Sequence, residues 1–137
     1  MENMQKANRE LLTRIFERMA QGDMRALSES MAQDFRWIFP GSWSWAGTWE
    51  SREAVVHGLL RPLMSQLDHT YRMSADFVLA DGDRVVVQAT GNGTTTAGQA
   101  YPQKYCFVFR VTEGKLTEVI EHCDTALVER VLTPPTR

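Results

Sequence analysis

The sequence predicts an α+β domain in which helices pack on one face of a curved antiparallel sheet. Two observations carry this. Helical periodicity occupies the first half of the chain and a short closing stretch, whereas period-two alternation broken by turn signals fills the second half. Length is the third observation: 137 residues is near the usual size of one domain, and such a chain buries about two-thirds of its unfolded surface without staples. A single domain is therefore expected over 1–137, with its core at about 7–132 and a loose tail at 133–137 marked by Pro134 and Pro135.

Each element follows in order. Leu11, Leu12, Ile15, Phe16 and Met19 recur at helical spacing, and Gly22 sits where a left-handed residue would end that helix. Asp23 is placed to cap a second helix with apolar positions Met24, Leu27 and Met31. Phe35, Trp37 and Phe39 then alternate as one aromatic face of a strand ended by Pro40 and Gly41. The Gly, Ser and Trp-rich segment from Gly41 to Trp49 fits neither period and reads as a loop. Ser51 can cap a third helix bearing Val55, Val56, Leu59, Leu60, Leu63, Met64 and Leu67, and Pro62, whose ring opposes the Gly58 carbonyl, should bend it. Strands follow at Tyr71 to Leu79, Val85 to Thr96, Tyr105 to Val111 and Leu116 to Cys123, with turns at 81–83, 97–102 and 113–114. A short helix after Asp124 closes the fold. A curled sheet with few helices leaves a hollow lined by aromatic and small residues.

Composition excludes several functions. The 15 basic and 17 acidic residues give a net charge of -2, so there is no positive excess to neutralise a phosphate backbone, and nucleic acid is not an expected partner. Uncharged apolar runs fall short of the ~20 residues of a membrane span, and the amino end is polar and charged, so neither a membrane partner nor a leader is expected. Cys106 and Cys123 form no CxxC pair, which suits a reduced, cytoplasmic setting. The three histidines are too scattered for a metal motif, and Gly91-Asn92-Gly93 lacks the third glycine and helix of a phosphate loop. No metal or cofactor is expected. The most informative pattern is an absence: Val85 to Gln103 contains no Asp, Glu, Lys or Arg.

The order of elements, with Ala46-Gly47-Thr48-Trp49 leading into Ser51-Arg52-Glu53-Ala54-Val55 and Gly114-Lys115-Leu116 leading into Glu121-His122-Cys123-Asp124, resembles the SnoaL-like branch of the nuclear transport factor 2-like superfamily. The resemblance covers about Ala7 to Leu132. It implies a cone-shaped α+β fold, often homodimeric, whose curved mixed or antiparallel sheet wraps the N-terminal helices around a pocket. That fold hosts isomerases, cyclases, dehydratases, hydrolases and proteins without known catalysis, and so does not choose among them.

Matching residue by residue narrows the choice. The general-base Asp of ketosteroid isomerases would fall on Phe39, and the Arg and Asp of limonene-type epoxide hydrolases on Ala89 and Gly91, so both sets are missing. Those three positions become wall residues of a ligand site. The last-strand carboxylate of the family does match, at Glu121, and by resemblance Val119, Glu121 and Cys123 face the pocket. A carboxyl in an aromatic, poorly hydrated cavity has its pKa raised and suits proton transfer; otherwise Glu121 pairs with an arginine and is structural. His57 lies on the flank of the third helix, one position from a histidine that functions in phenazine-pathway relatives; it either completes an acid/base pair with Glu121 or is solvated. Tyr105, on the neighbouring strand, could polarise a carbonyl or simply satisfy the backbone. Four Trp lie between Trp37 and Trp49, more than a short loop needs for packing, and Trp37, Phe39, Trp43 and Trp45 would form a π-rich wall for rings. The expectation is a small-molecule protein for a hydrophobic, cyclic ligand with Glu121 as acid/base, of isomerase, cyclase or dehydratase type. The alternative is a non-catalytic carrier, sensor or dimeric scaffold.

Overall fold

The structure, a computed structural model, describes residues 2–137. Its frame is one six-stranded sheet built from β1 (Met31–Phe39), β2 (Gly47–Glu50), β3 (Arg72–Asp81), β4 (Arg84–Asn92), β5 (Gln103–Thr112) and β6 (Lys115–Cys123). The strand order is β2-β1-β6-β5-β4-β3. Strands β3 to β6 form the expected antiparallel meander, while β1 adds to β6 in parallel and makes the sheet mixed. Register breaks between Met31 and Arg36, Ala75 and Phe77, and Arg110 and Val111. Such bulges bend a strand and increase its twist, and here they help to curl the sheet. Its concave side carries Phe35, Trp37, Val85, Val87, Phe107, Phe109 and Val119, all buried.

Helix α1 (Glu2–Ala20) covers one end of that concavity, burying Leu12, Ile15, Phe16 and Met19 as the periodicity requires. Gly22, at φ +100°, ends it. Helix α2 (Arg25–Glu29) is only five residues long. Met31, assigned to this helix by spacing, instead opens β1, because Ser30 closes the helix with N–H bonds to the Leu27 and Ser28 carbonyls. The loop expected up to Trp49 also ends early: Gly47–Glu50 pairs antiparallel with β1, with Trp49 opposite Trp37.

The third helix, α3, spans 52–64 and shows what Pro62 does. It begins with an α turn at Arg52–Ala54 capped by Ser51, whose Oγ accepts the Ala54 N–H at 3.1 Å. It widens into a π-helical segment at Val55–Leu60 and returns to α at Arg61–Met64. The Arg61 N–H reaches back five residues to the Val56 carbonyl. The expected bend thus takes the form of a π segment, which gives the proline ring room beside the Gly58 carbonyl. Gly58 also lets the helix lie against β2, since a Cβ there would sit 2.7 Å from the Trp49 indole.

Buried Gln103 clamps the closing helix α4 (Thr125–Val131) to β5. Its Oε1 accepts the Asp124 N–H at 2.8 Å and its Nε2 donates to the Asp124 carbonyl at 3.1 Å. Asp124 in turn caps α4, accepting the Leu127 N–H at 3.2 Å. The tail, expected to be loose, is held at two points. Gln66 exchanges hydrogen bonds with the Thr133 backbone, and the Arg137 guanidinium lies 4.4 Å from the Trp49 ring centre.

Candidate functional site

Between the concave sheet and helices α2, α3 and α4 lies a cavity of about 460 Å³. The sheet supplies Trp37, Phe39, Tyr71, Tyr105, Phe107 and Glu121 to its wall; the helices supply mainly aliphatic side chains. Alternation explains the sheet side. On β1 the inward positions are Phe35, Trp37 and Phe39, on β5 they are Tyr105, Phe107 and Phe109, and on β6 Val119 and Glu121. The aromatic rings meet edge-to-face or stacked: Phe39 against Trp43 at 5.6 Å and 84°, Trp43 on Trp45 at 6.4 Å and 14°, Tyr105 on Phe107 at 5.0 Å and 15°.

Glu121 is the one carboxylate among the cavity's lining residues. Only 8% of it is exposed. Burial raises its pKa from the usual carboxylate range to about 7, because the ionised form loses its water; the nearby Cys123 thiol and Trp37 indole pull weakly the other way. Neither neighbour closes a well-formed hydrogen bond, and Trp37 Nε1 has no partner although it is buried. The outward residues of the same strand behave differently. Glu118, whose position alternates to the outer face, binds Arg36 at 2.5 Å.

A second polar group faces the cavity. The Tyr71 and Tyr105 hydroxyls are hydrogen-bonded to each other in the interior. Both phenols are pushed well above their ordinary pKa, first by burial, so they stay neutral donors. One proton of such a pair is used within it, which leaves the other hydroxyl able to donate to a ligand oxygen. Gly91 makes this seat: a Cβ there would lie 2.2 Å from the Tyr71 oxygen.

The residues singled out in the sequence separate cleanly. Trp37, Phe39, Trp43, Trp45, Tyr105 and Glu121 come together on the cavity wall. His57 does not: it is exposed, and its Nδ1 accepts from Arg61 Nη1 at 2.6 Å, so it cannot pair with Glu121 across the cavity. The π segment shifts the helical phase, turning Val56 and Leu60 inward and His57 to solvent. Ala89, Gly91, Val119 and Cys123 are also off the wall. The space before Gly91 is filled by Tyr71 and Tyr105. Val119 is fully buried between Trp37 and Phe109 in the sheet register, Ala89 is closed over, and Cys123 flanks Tyr105. Tyr71 and the rim arginines Arg25 and Arg61 were not anticipated. The pair of glycines in a strand, Gly91 and Gly93, is the signal that could have found Tyr71, because glycine inside a strand marks a close approach by another group.

Fold and site together define an α+β cone protein with a largely enclosed aromatic cavity and a single buried carboxyl. The SnoaL-like domain family matches residues 12–119, and the chain belongs to that family. The Mycobacterium tuberculosis protein Rv0034 is 27% identical over 124 residues, covering 90% of this chain and 94% of its own. A putative SnoaL-like polyketide cyclase from Jannaschia sp. CCS1 superposes with a TM-score of 0.76 at 22% identity, covering 97% of this chain and 96% of its own. TerC, co-crystallized with polyporic acid, superposes with a TM-score of 0.73 at 21% identity over 91% of this chain and 97% of its own. No helix is long and apolar enough to cross a membrane among the described residues.

Proposed function

We propose that the protein binds a cyclic ketone or enol in the aromatic cavity and moves a proton on it with Glu121. The observation that carries this reading is the isolation of Glu121: it is the only carboxylate on the wall, with a pKa near 7. A group so poised holds and releases a proton at neutral pH. In the register, Phe107 faces Glu121 and Tyr105 faces Cys123, so the carboxyl and the tyrosine pair are diagonal neighbours on adjacent strands. Ionised Glu121 would take a proton from the carbon beside the ligand carbonyl, while the free hydroxyl of the pair donates to the carbonyl oxygen as it gains negative charge. Returning the proton to another carbon isomerises the ligand; attack by the enolate carbon on a second carbonyl of the same molecule closes a ring. The polyketide cyclase with a similar fold supports this class of chemistry.

The test uses 2-tetralone in D2O. The protein should speed deuterium uptake at the carbon next to the carbonyl, and Glu121→Gln should lower that rate by about 100-fold or more while holding 2-tetralone affinity within threefold. Binding without faster exchange would leave a carrier instead of a catalyst.

The homodimer is also proposed. On the outer sheet face Leu79, Val86, Val108, Ile120 and Ile38 form one continuous row across five strands, each opposite the next in register. Leu79 is 59% exposed. A second copy would bury this row. Val108→Glu should convert a dimer to a monomer in sedimentation velocity without altering the circular dichroism; an unchanged mass would place the interface elsewhere.

A further inference from the structure

The cavity wall is graded from buried to exposed, and the exposed end is cationic. Its aromatic residues, Glu121 and the tyrosine pair are buried, and most of the remaining lining is half-buried. Only two lining residues are exposed, and both are arginines: Arg25 on α2 and Arg61 on α3. Exposure identifies these as the rim.

Neither arginine is neutralised. Among the described residues no carboxylate lies within ion-pair distance of either guanidinium. The pairs that do form use Arg18, Arg36, Arg84 and Arg110. Asp23, which feels the charge of Arg25, is bound by Arg18 at 2.5 Å. Arg61 has only the imidazole of His57. Two unpaired guanidiniums from separate helices therefore meet the mouth of an apolar cavity, with forked donors that suit a carboxylate.

The geometry points to an acidic ligand: a ring system that sits among the aromatic residues while a carboxylate stays at the mouth between Arg25 and Arg61. This names the ligand class for the cavity reading above and rests on that reading, but it needs no catalysis by Glu121. The orientation follows from physical chemistry. The deep end holds a carboxyl that resists ionisation and has no cation beside it, so a ligand anion would be repelled there and unhydrated. At the rim the same anion keeps part of its water and gains two cations.

Isothermal titration calorimetry at pH 7.5 with 2-naphthoate, its methyl ester and 2-naphthylmethylammonium tests this. We expect 2-naphthoate to bind about tenfold more tightly than the ester, an advantage that shrinks as NaCl rises from 50 to 500 mM. The Arg25→Gln/Arg61→Gln variant should lose the advantage while its ester affinity stays within twofold. The Arg25→Glu/Arg61→Glu variant should prefer the ammonium probe. Equal affinities for acid and ester in the wild type, or an acid preference that survives the double glutamine variant, would overturn the rim assignment and leave the cavity reading standing. Failure of every probe to bind would overturn both.

Discussion

Replacing Glu121 by glutamine should raise stability at pH 8 and change it little at pH 5. An unfolded glutamate ionises near pH 4.3, whereas burial holds the folded carboxyl to about 7. Between those values the folded protein keeps a proton that the unfolded chain has released. Unfolding therefore releases a proton, and rising pH favours it. The folded state feels no penalty below the unfolded pKa, loses stability through the interval up to pH 7, and stays at the lower level above it. A shift of this size corresponds to about 3 kcal/mol. Glutamine is neutral throughout, so Glu121→Gln should recover about 1–3 kcal/mol at pH 8, less whatever its amide loses by lacking partners. Urea denaturation of both proteins from pH 5 to pH 8 measures the difference. The lowered carboxylates at Asp23, Asp68 and Glu129 contribute equally to both proteins and cancel. Parallel pH profiles would show that Glu121 is ionised and solvated in the folded state, which would also remove the basis of the proton-transfer proposal. A protein that keeps such a residue carries a stability cost at neutral pH, which fits a group retained for chemistry.

The legibility of this fold follows the range of the forces involved. Local alternation and periodicity were enough to find α1, β1, the four-strand meander and both Ser51 and Asp124 as caps. The parallel pairing of β1 with β6 joins residues about eighty positions apart and has no local signature. The short β2 forms because β1 offers it an edge, not because Gly47–Glu50 has a strand pattern. The same division runs through the site. Glu121 could be found because alternation on one strand fixes which way it points, and the aromatic face of β1 by the same rule. His57 went wrong because a helix read at 3.6 residues per turn takes no account of a π segment, and one extra residue in a turn rotates everything after it. Tyr71 was invisible because its place depends on the missing side chain of Gly91, twenty residues later and on another strand. Arg25 and Arg61 looked like ordinary surface charge. Only the three-dimensional grading of the cavity wall sets them at its mouth.

Gly91 and Gly93 give the sharpest expectation about packing, because alanine should fail at the two positions for different reasons. At Gly91 the added methyl meets the end of a side chain: Tyr71 Oη at 2.2 Å, Tyr105 Cε2 at 2.9 Å and Tyr71 Cζ at 2.9 Å. Tyr71 can swing away, at the expense of its bond to Tyr105 and of the fit around it. At Gly93 the methyl meets backbone, the Tyr71 Cα at 2.6 Å and its N at 3.0 Å, and the strand itself must move. Neither glycine has the positive φ that would make alanine strained by backbone conformation alone. The cost at each site is therefore one of overpacking, about 2 kcal/mol at Gly91 and 3 kcal/mol or more at Gly93. A double-mutant cycle separates the two. Tyr71→Phe removes the atom nearest the Gly91 methyl, so the cost of Gly91→Ala should fall by about 1 kcal/mol in that background, whereas the cost of Gly93→Ala should not change. Equal coupling of Tyr71→Phe to both glycines would mean that the tyrosine ring, not its hydroxyl, sets the spacing. Tyr71 would then be a packing residue, and the hydroxyl pair could not be credited with stabilising charge on a ligand. The expected asymmetry instead ties the two glycines of β4 to one purpose: Gly93 brings the backbone of residue 71 onto the sheet, and Gly91 admits its hydroxyl to the cavity wall beside Tyr105.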